Sequence, residues 1–441
     1  MSGEVLAALM FPALFVLVFL GLPIAFSLLA TAFIFGLPIY GGVIGLQMYA
    51  GITQTASQFL LSAVPPFVFM GFMLERSGIA ERLFYALRIW LGRLPGGLAL
   101  ATMAMAAVIA ASTGIVGAVE VVIGVMAIPA MLQYGYSRVL ASGTVCAGGS
   151  LGTMIPPSIV VVIYASVANL SVGQLFAGVL APGMIMVTLF FGYILIRCIL
   201  RPEEGPRAAV EDVVPIGERL WITLTAFVPA VALIFAVLGA IIVGIATPTE
   251  AASVGAVGAV LLTILYGRMT WTVMKETLTQ TLLVNCMILL IVVGGSMFSG
   301  VFRIHGGNTL VATVVDVLGL GDIGLVLILL GVVFIAGFIL DWVSIVLICL
   351  PIFIPLLSAA GIDPIWFAVL MVVVIQTSYL TPPMAPSIFY LRSIAPPEIT
   401  YSDMYWGVLP FVFCQVVTLV LVFVWPDLAV WLPKVLVAGI E

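Results

Sequence analysis

The sequence predicts an all-α integral membrane protein of two inverted-topology repeats, each holding a re-entrant helical hairpin and a discontinuous helix. Three observations carry this. Of the 441 residues, 64% are hydrophobic and only 7% charged, against about 25% charged in soluble domains. Many windows exceed the roughly 20 apolar residues that span a bilayer, and runs such as 325–336 lack the alternation of a transmembrane β-barrel. The chain also repeats its own punctuation: Gln54-Thr55 returns as Gln280-Thr281, a step of 226 (280 − 54). Pro129 returns as Pro355, Gly135 as Gly361 and Pro156-Pro157 as Pro382-Pro383 at that same step. Finally, apolar segments interrupted by Gly and Pro at corresponding places in two halves of a membrane chain point to a transporter's binding site.

Repeat one is placed at 1–200. Helices are expected at about 4–20 and 22–37, separated by Gly21-Leu22-Pro23. The first follows Glu4 without the basic region of a signal peptide and reads as a retained helix. Residues 43–60 hold Gln47, Gln54, Thr55, Ser57 and Gln58 and read as an interfacial helix. A helix at 61–75 and an amphipathic one at 78–93 follow. Residues 96–132 form two short apolar halves joined by AASTGIVG, the mark of a re-entrant hairpin. The segment 138–168 is broken by GTMIPPS, and a helix at 172–197 closes the repeat.

The one strongly polar stretch, around 201–218, mixes both charge signs with prolines and reads as a solvent-exposed cytoplasmic linker. Repeat two, 219–441, gives the same order: helices at 219–243 and 249–266, an interfacial stretch at 268–282 and a helix at 284–301. A hairpin at 320–358 turning near Asp341, a helix at 363–394 broken by YLTPPMAPS and a span at 402–425 complete it. Five crossings and one hairpin per repeat invert the second repeat. With 76–93 inside, Arg76, Arg82, Arg88, Arg93, Arg138, Arg197, Arg201, Arg207, Arg219, Arg268, Lys275 and Arg392 all fall on the cytoplasmic side; only Arg303 and Lys434 fall outside. That is the bias expected of cytoplasmic loops, and it puts both termini outside.

Candidate chemistry sits at the breaks. Pro156 and Pro157 remove two backbone donors, and Gly148, Gly149 and Gly152 permit unusual dihedrals just before them. Carbonyls freed at membrane depth need a partner, and a hard cation such as Na⁺ suits carbonyl and hydroxyl oxygens. Pro382 and Pro383 give the second break. Each hairpin turn is expected to meet the broken helix of its own repeat: Ser112-Thr113-Gly114 in the first, Gly337 through Asp341 and Ser344 in the second. An acid at membrane depth, such as Asp341, is functional by default; its other reading is a cap at a helix end. Glu120, matched in repeat two by the apolar Val346, is placed to meet a cargo cation, a proton or Na⁺, or else is an interfacial acid. Glu250 reads as the first-turn acid of its helix.

Other chemistry is excluded. The single histidine, His305, beside Gly306-Gly307, rules out a histidine-rich metal site and reads as a loop residue. The five cysteines form no C-x-x-C pair and read as small apolar residues. There is no P-loop, and no basic surface for nucleic acid.

ASTGIVG, CAGGSLGTMIPPSIVVVIY and LFAGVLAPGM resemble the first half of the large membrane (M) subunit of tripartite ATP-independent periplasmic (TRAP) transporters. GIATPTEAASVGAV, GFILDWVSIVLICLPIFIPLLSAAGIDPIWF and LTPPMAPSIFYLRSIAP resemble its second half. The resemblance implies an elevator-type secondary transporter in the bacterial inner membrane. It also implies Na⁺ coupling, a small membrane (Q) subunit and a periplasmic substrate-binding protein (P subunit) that delivers an organic acid. Carried over, the family's ion sites map onto Ser112, Thr113, Gly114, Gly149, Gly152 and the Ile155 carbonyl, and onto Gly337, Asp341, Ser378 and Thr381. Glu120, Asp341 and Ser158 are the expected cargo contacts. The family's first turn commonly reads S-G-S, where this chain has Ser112-Thr113-Gly114.

The expected function is sodium-coupled import of a small carboxylate across the bilayer, without enzymatic chemistry. A self-sufficient sodium/organic-anion symporter shares the architecture and would need no binding protein. A membrane-embedded enzyme would need clustered acids or a histidine at an interface, and the chain offers neither. A channel would not show saturable, strictly sodium-dependent uptake.

Overall fold

The computed structural model describes residues 3–114, 116–207, 215–319, 321–382 and 385–438. Its elements are all helical among these residues. In the first half they are α1 (Gly3–Phe19), α2 (Ile24–Tyr40), α3 (Ile44–Ala56), α4 (Val64–Arg76), α5 (Ile79–Leu91), α6 (Gly97–Thr113), α7 (Val116–Gln133), α8 (Arg138–Ser150), α9 (Ile159–Ala168) and α10 (Val172–Leu200). The second half has α11 (Ile216–Ile242), α12 (Pro248–Leu265), α13 (Trp271–Ile304), α14 (Gly307–Leu318), α15 (Asp322–Ala336), α16 (Trp342–Ala359), α17 (Pro364–Leu380), α18 (Pro386–Arg392), α19 (Tyr401–Val424) and α20 (Asp427–Ala438). Among the described residues, eight helical stretches are long and apolar enough to cross a membrane. Large apolar side chains such as Phe19, Phe413 and Trp271 are 68–80% exposed, while Ser150, Gln376 and Gln415 are wholly buried. A polar interior under an apolar surface fits a hydrocarbon solvent.

Local chemistry sets the helix ends. Gly21 takes φ +89, a left-handed value that glycine adopts without strain, and Pro23 precedes α2. Thr247 and Glu250 form a capping box at α12, as do Thr400 and Asp403 at α19; each satisfies backbone donors that have no partner in the first turn. Asp363 caps α17 by accepting from Ile365 and Trp366 at 2.9 and 3.0 Å.

The structure departs from the sequence reading in three places. The interfacial stretch expected at 268–282 and the helix expected at 284–301 are one 34-residue helix, α13. Its polar residues Thr277, Thr281 and Asn285 are spaced by four and buried, so they form an inward stripe, not a membrane-surface face. Two helices, α14 and α20, lie where no element was expected. The linker is exposed at 201–203 and 207, as expected, but Glu204 and Gly205 are held against the helices. Glu204 accepts from Arg197 at 2.5 Å and Arg201 at 2.9 Å, its carbonyl takes the Ser137 N–H at 2.9 Å, and the Gly205 carbonyl takes the Gly96 N–H at 3.0 Å. Residues 208–214 of the linker lie outside the described residues. His305 lies, as expected, in the two-residue turn between α13 and α14, but it is buried, with Nε2 2.9 Å from the Phe35 carbonyl.

Packing interleaves the halves. α2 packs on α13 and α4 on α12. The second arm of each hairpin packs on the short helix beyond the other half's break: α7 on α18, α16 on α9. Near the centre the Gln376 amide donates to Ser150 Oγ at 3.1 Å, and these residues stand 226 apart. The Gln415 amide donates to the same oxygen at 3.4 Å.

Candidate functional site

The first hairpin turn is built by α6 ending at Thr113 and by Gly114, which takes φ +63 and donates its N–H to the Ala110 carbonyl at 3.1 Å. Ser112 and Thr113 both donate to the Ile109 carbonyl, at 2.7 and 3.1 Å. Each hydroxyl keeps lone pairs for a further donor or a cation. A Cβ on Gly114 would lie 3.2 Å from the Pro157 carbonyl oxygen and the Ile159 nitrogen. The turn therefore rests on the backbone just past the first break.

That break spans a 3₁₀ turn at 151–153, carrying Gly152, and non-helical residues 154–158. The Ile155 N–H donates to the Leu151 carbonyl at 2.9 Å. Ser158 donates to the Thr153 carbonyl at 2.8 Å, and Pro156 and Pro157 are buried. α6 packs on the 3₁₀ turn. Gly149 faces elsewhere: a Cβ there would lie 1.9 Å from Glu120 Cγ.

The second turn joins α15 to α16 through 337–341. A Cβ on Gly337 would lie 2.0 Å from Ser378 Oγ, so only glycine lets this turn touch α17. Ser378 donates to the Ile375 carbonyl at 2.8 Å and Thr381 to the Thr377 carbonyl at 2.7 Å. Asp341 is the N-cap of α16 and accepts from the Val343 and Ser344 N–H groups at 3.2 and 3.3 Å and from Ser344 Oγ at 2.5 Å. Pro382 follows Thr381; Pro383 lies outside the described residues. Ala385 resumes the chain at φ +41 ahead of α18.

The second turn, at Asp341, and the start of α7 just past the first turn open onto one cavity of about 610 Å³. Gly117 and Val121 of α7, Asp341, Trp342 and Val343 at the start of α16, and Ile159, Tyr379 and Tyr390 line one side. Pro23, Phe72, Glu75, Arg76 and Gln280 line the other. The first turns of α7 and α16 thus both face the cavity; the Val343 and Ser344 N–H groups of α16 are taken by Asp341, which leaves the α7 N-terminus as the helix end that favours negative charge. Arg76, a cavity cation, pairs with Glu276 of α13.

The expected residues therefore separate into groups. Ser112, Thr113 and Gly114 meet the first break, and Gly337 meets Ser378. Asp341 lines the cavity; Glu120 does not and is fully buried. Sequence reasoning missed Arg76, Tyr379 and Tyr390 as lining residues. The only signal for Arg76 was an adjacent acid-base pair, Glu75-Arg76, ending an apolar helix. Among the described residues no group of His, Cys, Asp and Glu side chains is arranged to hold a metal, so an ion at either turn would rest chiefly on carbonyl and hydroxyl oxygens.

Broken helices beside a largely apolar cavity that carries Asp341, Glu75 and Arg76, in a chain with this many apolar spans, define a multi-pass membrane transport protein. The chain belongs to the family described as tripartite ATP-independent periplasmic transporter, DctM component, whose model matches residues 11–428. It is 31% identical over 385 residues to the C4-dicarboxylate TRAP transporter large permease protein DctM of Pseudomonas aeruginosa, covering 86% of this chain and 88% of that one. The isethionate TRAP transporter permease protein DctMQ of Oleidesulfovibrio alaskensis is 28% identical over 90% of this chain and 64% of its own length. The fold is similar to that of the Alcanivorax borkumensis YdaH transporter (TM-score 0.60, 14% identity, 88% of this chain and 90% of that one). These relatives are permeases, and the chain stands with them as a membrane permease subunit, not an enzyme.

Proposed function

We propose that the chain is the large permease of a sodium-driven importer that carries a small organic acid across the bacterial inner membrane. A periplasmic binding protein delivers the cargo and a small membrane subunit completes the complex. The observation that carries the reading is the cavity where Asp341 and the first turns of α7 and α16 meet. The α7 N-terminus favours a carboxylate there, while the α16 N-terminus is already capped by Asp341 and Arg76 is paired with Glu276. Asp341 is an acid in the same place, so it repels that cargo unless a cation stands between them. Na⁺ at the second turn, held by Asp341 with Ser378 and Thr381, would supply that charge and make cargo binding depend on the ion. Ser112, Thr113 and Gly114 with Gly152 and Ile155 would hold a second Na⁺ at the first turn; Ser158, buried with its hydroxyl on the Thr153 carbonyl and outside the cavity lining, would brace the break and not touch the cargo.

Two hairpins, two breaks and interleaved packing support inverted repeats moving as an elevator, the turns travelling with the cavity while α2, α4, α12 and α13 stand as scaffold. The Pseudomonas relative is named for C4-dicarboxylates, which supports a carboxylate cargo. The name DctMQ supports a small-subunit partner. The test is uptake into proteoliposomes holding the chain and its small subunit. Accumulation is expected only with an inward sodium gradient and binding protein outside. Uptake without binding protein would favour a self-sufficient symporter, and uptake indifferent to sodium would reject the coupling.

A further inference from the structure

Glu120 sits on α7, is 0% exposed, and neither of its carboxylate oxygens has a hydrogen-bond partner. Among the described residues it belongs to none of the ion pairs, which join Arg76 to Glu276 and Glu204 to Arg197 and Arg201. Two other helices, α8 and α18, enclose it. α8 presents Gly149, whose missing side chain leaves the space that the Glu120 Cγ and Oε1 occupy. α18 presents Ser387, also 0% exposed, whose hydroxyl oxygen has no partner either and adjoins the Glu120 carboxyl. Cys146, one turn before Gly149, closes the third side with its Sγ 3.8 Å from the Ser387 carbonyl.

A bare carboxylate at membrane depth is costly and persists only with a compensating charge. No basic side chain supplies one. The site instead offers two carboxylate oxygens and one hydroxyl oxygen, all hard donors and all unspent, which suits a hard cation. A proton would engage one of these oxygens and add a donor beside the Ser387 hydroxyl, whose own proton is already unspent. A cation engages the lone pairs of all three. We propose that Glu120 and Ser387 form a third cation site, for a dehydrated monovalent ion of sodium's class, separate from those at the two hairpin turns. It lies between a hairpin arm and a broken helix of the first half and the post-break helix of the second, so an ion there ties the halves together. The proposal rests on the ion-coupled reading above and adds an ion to it.

The test is equilibrium binding of radioactive sodium to the purified chain with its small subunit, counted at saturation. Glu120→Gln keeps the shape and removes the charge, so it is expected to fold and to bind one sodium ion fewer than wild type. Ser387→Ala keeps the charge and loses one ligand; it is expected to bind the full number with the weakest affinity lowered by about tenfold, as loss of one buried polar partner implies. An unchanged count in Glu120→Gln, with wild-type sodium binding intact, overturns this site alone and leaves Glu120 as a buried carboxylic acid. An absence of sodium binding in the wild type overturns this site and the coupling together. An undiminished affinity in Ser387→Ala removes Ser387 from the ligand set and overturns the site as drawn.

Discussion

Asp341 and Glu120 both stand near the start of a hairpin's second arm, and they are opposites. Asp341 caps α16, accepts three hydrogen bonds and opens onto the central cavity. Glu120 lies inside α7, accepts none and is sealed from every side. They are not equivalent in the repeat: a step of 226 places Asp341 opposite position 115 and Glu120 opposite Val346 (120 + 226). The difference teaches that a duplicated scaffold can carry unduplicated chemistry. The turn that has an acid has it capped and wet; the turn that lacks one is followed by an acid that is dry and unspent.

The comparison breaks most visibly at Gly149. Gly149→Ala drives a Cβ to 1.9 Å from Glu120 Cγ, an overpacking of about 1–3 kcal/mol or more. A large fall in melting temperature is expected, most of it recovered when Glu120→Ala is added. Gly331→Ala, with nothing within 4 Å, is the control and should leave melting unchanged. If Gly149→Ala also melts normally, Glu120 does not pack as described.

Ser112→Ala and Thr381→Ala each remove one hydroxyl from a turn. Loss of an oxygen that water cannot replace costs about 1–3 kcal/mol, so the sodium concentration for half-maximal uptake should rise by about tenfold or more in each. Unchanged sodium dependence in both would take these residues out of the ion sites. A smaller effect separates two variants of the capped acid. Asp341→Ala deletes the cap of α16 and should lower stability by about 1 kcal/mol, read as a fall in melting temperature, whereas Asp341→Asn keeps a capping side chain and should melt near wild type. The smallest effect is expected at Glu204→Gln, which loosens the clasp on Arg197 and Arg201. The Arg201 arm is 67% exposed and worth at most about 1 kcal/mol, and a larger loss of stability would show that the Arg197 arm pins the linker to the loops at Gly96 and Ser137.

Much of this was legible in the chain. Gly114 and the Pro156-Pro157 pair announce a turn and a break because glycine and proline act locally, whatever the fold around them. Thr247 and Glu250 announce a helix start for the same reason. What stayed hidden depends on residues far apart. Thr277, Thr281 and Asn285 look like an interfacial face until α4 and α2 are packed against α13. No local pattern brings Ser387 to Glu120, or Glu204 to the Ser137 and Gly96 loops. The meeting of Ser150 with Gln376 was written in the repeat, because residues one step apart meet where the halves cross, yet the sequence does not say which such pair lies there.

The most direct test of the account is sodium-driven uptake by Asp341→Asn in proteoliposomes with the small subunit present and binding protein outside. The account predicts a protein that melts and assembles as wild type does but accumulates no cargo under a sodium gradient. Accumulation at the wild-type rate, with the wild-type sodium dependence, would contradict it and move the link between ion and cargo away from the second hairpin turn.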